Sequence, residues 1–242
     1  MSLDISHLPA STPVLVGAGQ AVEREPTANS PMAIASQAAA AALADSGGKD
    51  IAAAIDTIAV VKIFSDSTRI WGEAESRSNN PPQSIARVIG ANPRSRIYST
   101  VGGNEPQSLV MEFARDIAAG ERDAVLLAGS EAIRNQRNAA RNGIELDWGE
   151  DFDEPLEDRG FGKFVANNQE RFNGMVMPVY YYILIEQARR QRLGQDVPTY
   201  LAGVGKMLES FSAVAAANPY AQFPGAMTAS DILGAEPMTH LY

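Results

Sequence analysis

The run from Arg96 to Glu131 constrains this chain more than any other: strand, glycine pair, helix, strand. Arg96–Thr100 reads as a strand, Val101-Gly102-Gly103-Asn104 follows, and a helix then extends to Ala119 before the strand Ala124–Ser130. The glycine pair lets the backbone turn sharply from strand into helix. Asn104 falls at the helix N-terminus, where unpaired N–H groups and the positive end of the dipole converge. A nucleophile placed there would have its anionic form stabilised. Asn104 with Gln107 three residues on also suits a capping box, and Pro106 suits a first helical turn. Two readings therefore stand at Asn104: a cap alone, or a cap that also lines a pocket.

Strands and helices alternate on either side of this run. Pro13–Gln20 reads as a buried strand ending in glycines, and Ser30-Pro31 opens an alanine-rich helix, Met32–Ala44. Ile55–Phe64 is the second strand, and Gln83–Ile89 a short helix closed by Gly90. Leu109, Val110, Phe113, Ala114 and Ile117 give the Asn104–Ala119 helix one apolar face. Ala124–Ala128 is nearly all apolar, as in a strand covered on both faces. The fold class expected is α/β, a mostly parallel sheet with right-handed crossovers and helices on both faces.

After Glu131 the pattern changes. Arg134, Arg137 and Arg141 lie in a polar run, and Glu145–Asp158 is dense in acids, which predicts a mobile charged surface loop. Helices are expected over Pro178–Leu193 and roughly Val197–Ala217; Ala221–Tyr242 shows no finishing element. Four strands interrupted by helices read as incomplete, so the chain is expected to be part of a longer protein.

Composition narrows the partners. The net charge of −9 argues against nucleic acid or an anionic membrane. With no cysteine in 242 residues, disulfides and thiolate metal sites are excluded, and no metal is expected. No basic-apolar leader and no membrane-length apolar run is present, which makes a soluble cytoplasmic protein the expectation. Gly17-Ala18-Gly19 lacks a helix directly after it, so a dinucleotide phosphate has nothing to rest on. Ser130 lacks the surroundings of a hydrolase elbow, and the acidic run lacks the spacing of a calcium loop.

Several segments, taken in order, resemble the thiolases, especially the sterol-carrier-type branch. PVLVGAGQ resembles the family's first strand, and NNPPQSIARVIGA the helix before the reactive loop. The run from Tyr98 to Glu131, ending LLAGSEA, resembles the reactive-loop helix and the next strand; NPYAQF with TASDIL resembles the end of the loop domain. The match covers nearly the whole chain as the N-terminal half of a thiolase. The resemblance implies an α/β domain over 1–131 with its last strand missing, a mostly helical loop domain over 132–230, and a segment 231–242 returning toward the α/β domain. It also implies acetyl-CoA acetyltransferase chemistry in fatty-acid or lipid metabolism, with coenzyme A or acyl-CoA as substrate, no covalently bound cofactor, and a homodimer formed through the N-terminal domain.

In the family, a cysteine opens the reactive-loop helix and takes the acyl group; here that position is Asn104. Gly102 and Gly103 would border the acyl site, and Val176 and Met177 would touch the pantetheine arm, although core packing is the plainer reading of that apolar stretch. Arg134, Arg137 and Arg141 could meet coenzyme A phosphates, or form a solvated face or pair with the acidic run. The only histidines, His7 and His240, lie in no catalytic motif. An amide cannot form a thioester, so this chain alone is expected to lack thiolase turnover. The alternative is a non-catalytic subunit that binds acyl-CoA or pairs with a lipid-carrier or thiolase-like partner protein.

Overall fold

The computed structural model describes residues 7–66, 77–162 and 166–234. His240 and the end of the returning segment lie outside them. Two compact units result, Met1–Lys163 and Phe164–Tyr242.

In the first unit the chain enters α1 (Pro31–Ser46) at Ser30, whose hydroxyl accepts from the Ala33 N–H, and leaves at Gly47 in the left-handed region. After a single turn, α2 (Ile51–Ala54), come β1 (Thr57–Val60) and the 3-10 turn Phe64–Asp66. Next are α3 (Pro81–Ile89), β2 (Ser95–Tyr98), α4 (Glu105–Ala118), β3 (Val125–Ala128), α5 (Ile133–Asn142) and the two-residue β4 (Glu157–Asp158). The sheet has the order β3-β1-β2-β4, and every pair is parallel. This is the expected α/β architecture.

Both faces of the sheet are covered. On one, Ile58, Val60 and Tyr98 pack against Ala35 and Ala39 of α1 and Ile85 and Ala86 of α3. On the other, Ala59 and Ile97 pack against Leu109 and Phe113 of α4. All four residues of β1 are buried, in keeping with its apolar Ile58–Val60; the Thr57 hydroxyl is bonded to Asp56 and Arg122.

Two expectations about strands need correction. β3 is only half-buried, although its apolar run predicts cover on both sides. The reason is its place at the edge, where a cleft of about 490 Å³ separates it from the Pro13–Gly19 segment. Pro13–Gln20 itself does not form a strand, and Leu15 is 89% exposed. Its glycines serve another purpose. A Cβ at Gly17 would stand 2.3 Å from the Ala42 carbonyl oxygen and one at Gly19 2.1 Å from that of Ala38, so the segment runs hard against the backbone of α1.

The acidic stretch also differs from expectation: it is a docked strap. Trp148 is 8% exposed, packs near Ile34 and Ala132, and donates its indole N–H to the Ala28 carbonyl at 2.7 Å. Asn80 caps α3 through the Gln83 N–H, and its amide donates to the Glu154 carbonyl at 2.9 Å. Arg87 pairs with Glu150, and Asn79 bonds Asp151 and the Phe152 carbonyl. The strap then enters the sheet as β4 beside β2. There Arg159 holds Glu112 of α4 through two bonds of 2.7 Å. Cations and amides receive Glu150, Asp151, Glu154, Glu157 and Asp158, while Glu145, Asp147 and Asp153 face solvent.

α5, which the sequence pattern did not reveal, pins the 23–29 segment. Its buried Asn135 accepts from the Thr27 N–H and donates to Glu23, Thr27 and the Asn29 carbonyl. Arg134 turns to the Arg24 carbonyl and Glu25 rather than to the acidic strap.

The second unit is helical: α6 (Asn168–Phe172), α7 (Pro178–Arg192), α8 (Val197–Ala216) and α9 (Ala229–Leu233). Asn167 with Glu170 and Thr228 with Asp231 form capping boxes, and Asp196 caps α8. α9 lies on α8 at Gly205, where a Cβ would meet the Leu233 side chain at 2.9 Å. Tyr200 bonds Glu186, tying α8 to α7.

Candidate functional site

Chain direction builds a crevice at the carboxyl ends of the strands. From β1 the chain passes through α3 on one face to β2; from β2 it passes through α4 on the other face to β3, on the far side of β1. Connections leaving toward opposite faces open a gap outside the strand ends, the usual place for a ligand in such sheets. Here that gap is a cleft of about 500 Å³. Its floor is Val61, Leu127, Ala128 and Gly129; Pro106, Leu109 and Val110 of α4 form one wall, and Lys62, Ser130 and Glu131 stand at the strand ends.

Among these residues only Glu131 offers a chemically available group. Ser130 donates to the Pro31 carbonyl. Lys62 is buried, its ammonium 2.6 Å from Asp158 and 4.1 Å above the Tyr98 ring, so its charge is spent on the strap. Burial works to raise the Asp158 carboxyl, but bonds from Lys62 and the Gly160 N–H outweigh it and hold it below the usual range. One oxygen of Glu131 accepts from the Phe64 N–H at 2.6 Å; the other has no hydrogen bond among the described residues. Glu131 is exposed as a whole residue, but desolvation of its carboxyl, opposed by the Phe64 bond and helped by the nearby Asp66 charge, raises it above its ordinary value. Tyr98 donates to Asp66 at 2.7 Å and accepts from the Ile63 N–H at 3.0 Å, and burial beside Asp66 drives its phenol strongly upward.

The glycine loop lies just outside this cleft. Asn104 does precede α4, but its backbone is already helical and its side chain caps nothing. The expected capping box is therefore absent: with φ −86° and ψ −17°, the carboxamide accepts from no backbone N–H of the first turn and instead donates to Glu105 at 3.2 Å and Ser108 at 3.4 Å. The side chain is exposed and does not line the cleft, whose α4 wall begins at Pro106. Gly102 leaves room for that carboxamide, since a Cβ there would come 2.7 Å from Asn104 Oδ1; Gly103 faces open space. Val176 and Met177 belong to the second unit, at the start of α7, and are 63% and 54% exposed, so core packing does not describe them.

Lys62, Tyr98, Asp158 and Glu131 escaped the sequence reading. The available signal was a lysine inside the otherwise apolar run IAVVKIF (Ile58–Phe64), which places a cation at a buried strand end. Among the described residues, no group of three or more His, Cys, Asp or Glu is arranged to hold a metal ion, and no helix is long and apolar enough to cross a membrane.

The all-parallel sheet with helices on both faces fits a thiolase-like protein, and the comparison with solved structures supports that class. Among solved structures, the chain is similar to a monomeric SCP2-thiolase like protein type 1 from Mycobacterium smegmatis, at 33% identity and a TM-score of 0.67. The likeness covers 94% of this chain and 40% of that one, so the chain spans about 40% of its solved neighbour's length. No protein-family model and no curated protein matches the chain.

Proposed function

We propose that this chain is the acyl-CoA-binding portion of a thiolase-like acyltransferase homologue of fatty-acid or lipid metabolism, acting in the cytoplasm and unable to form a covalent acyl intermediate. The likeness over 94% of the chain, in which Asn104 stands at the start of α4, carries this reading. A carboxamide can donate a hydrogen bond to a thioester carbonyl but cannot attack it. Gly102 and Gly103 are proposed to let the acyl group approach the α4 N-terminus, whose dipole favours negative charge on the carbonyl oxygen. Val176 and Met177 are proposed as contacts for the pantetheine arm, and their exposure leaves them open to one.

The exposed, uncapped Asn104 favours a second reading, in which the fold serves as a non-catalytic subunit that holds acyl-CoA or a lipid-carrier partner. Calorimetric titration with coenzyme A and acetyl-CoA, run beside an acyl-transfer assay, separates the two. Binding without turnover supports the subunit; turnover that falls on Asn104→Ala supports surviving chemistry. Failure to bind either compound removes acyl-CoA from both readings.

The homodimer implied by resemblance gives way to a proposed monomer. At the β2 edge, Ile97 and Tyr98 already pair with β4 of the same chain, which leaves a partner strand less room there. The solved neighbour is itself described as monomeric. Light scattering that returns twice the 25.8 kDa chain mass would overturn this assignment.

A further inference from the structure

The cleft contains one carboxylate that neither the fold nor the strap consumes. Glu131 stands at its mouth just beyond the end of β3, one oxygen fixed by the Phe64 N–H and the other without a hydrogen bond among the described residues. Val61, Leu127 and Leu109 make the interior beside it apolar, and the first turns of α4 form a wall of the same cleft. A ligand seated there would lie between an oriented carboxylate and the positive end of a 14-residue helix. That is the arrangement proton abstraction beside a carbonyl requires: a base on one side, stabilisation of developing oxyanion charge on the other.

We propose that Glu131 is the catalytic base of this cleft, taking a proton from the carbon next to the carbonyl of a small acyl thioester. The inference rests on the acyl-CoA reading above and adds a chemistry that needs neither a cysteine nor a histidine. In the step, the Cα–H bond breaks and its proton goes to the free Glu131 oxygen. The bonding pair forms the enolate double bond while the carbonyl π pair moves onto oxygen. The Glu131 proton then exchanges with solvent, and return of a deuteron from Glu131 to the same carbon restores the thioester, so in heavy water each cycle in which that exchange precedes the return replaces one hydrogen by deuterium and no other reactant is consumed.

The groups facing Glu131 fit this task. Asp66 lies close enough to oppose its ionisation; Tyr98 spends its proton on Asp66, and Arg77 pairs with Asp66 at 2.6 Å. Desolvation is the larger cause of the upward shift in the Glu131 carboxyl, Asp66 adds to it, and the Phe64 N–H and the Arg77 charge on Asp66 oppose it.

The test is deuterium incorporation into the methyl group of acetyl-CoA in heavy water, followed by proton NMR with the 242-residue chain, beside calorimetric binding of acetyl-CoA. Exchange should rise with pH through the raised carboxyl pKa. Glu131→Gln, which keeps an oxygen for the Phe64 N–H, should lose at least about 100-fold in rate while binding acetyl-CoA as before. Glu131→Asp, one methylene short, should fall between the two. Exchange unchanged in Glu131→Gln would overturn the proposal. Binding without exchange in the unmodified chain would overturn it too and leave the acyl-CoA reading standing, whereas absence of binding would overturn both.

Discussion

Replacing Trp148 tests whether the 144–162 strap is docked as described. Its ring is 8% exposed beside Ile34 and Ala132, and its N–H meets the Ala28 carbonyl at 2.7 Å. Truncating a buried tryptophan to alanine costs about 3–5 kcal/mol. The strap can partly collapse into the space, which favours the lower end, about 3 kcal/mol. The hydrogen bond contributes about 1 kcal/mol of that, because the Ala28 carbonyl would otherwise face water or stay unpaired. Trp148→Phe should therefore cost about 1–1.5 kcal/mol and Trp148→Ala about twice as much. Urea denaturation followed by circular dichroism at 222 nm reads the cost. Amide hydrogen exchange across 146–158 reads its location: the strap should lose protection before β1 does. A loss under about 0.5 kcal/mol in Trp148→Ala, with unchanged exchange in the strap, would refute the docking.

Other perturbations reach different parts of the structure. Gly19→Ala forces a Cβ against the Ala38 carbonyl of α1 and should lower stability by about 1–3 kcal/mol in scanning calorimetry, whereas Gly103→Ala meets nothing and should leave it nearly unchanged. The Arg159 bonds hold the Glu112 carboxyl below its ordinary value, so this contribution is present above the unfolded-state pKa and lost as pH falls through the folded one. Glu112→Gln should cost about 1 kcal/mol at pH 7, since both partners are partly exposed, and should flatten the fall in stability below about pH 5. Tyr98→Phe unpairs the buried Ile63 N–H and should cost about 1–2 kcal/mol in urea denaturation.

The parts legible in the sequence are those set by local rules. Ser30-Pro31 with Gly47, Gly90 after Ile89, and the apolar face of Leu109 and Phe113 mark three helices, although α3 begins at Pro81, ahead of the expected Gln83. β1 and β2 follow from apolar runs between turn signals. The failures are tertiary. Pro13–Gln20 has the composition of a buried strand, but a strand needs a hydrogen-bonded neighbour, and none is present beside it among the described residues. The acidic strap looks solvated because charge density was visible and its receivers were not: Arg87 and Lys62 lie far back in the chain. α5 carries few apolar residues, since Asn135 anchors it through hydrogen bonds that no hydrophobic period records. At the candidate site, the glycine turn and Asn104 were readable as a motif. The cleft was not, because Val61, Pro106 and Glu131 meet only once the crossovers have formed.

The account turns on whether the cleft beside α4 receives a thioester. Titrating acetyl-CoA into uniformly 15N-labelled protein and following its amide resonances tests this most directly. Saturable shifts at Val61, Leu109, Val110, Gly129 and Glu131, with the protein mass unchanged afterwards, are the result expected. A spectrum that does not move, or shifts confined to residues away from these strand ends, would contradict it; so would an added acetyl group on the protein.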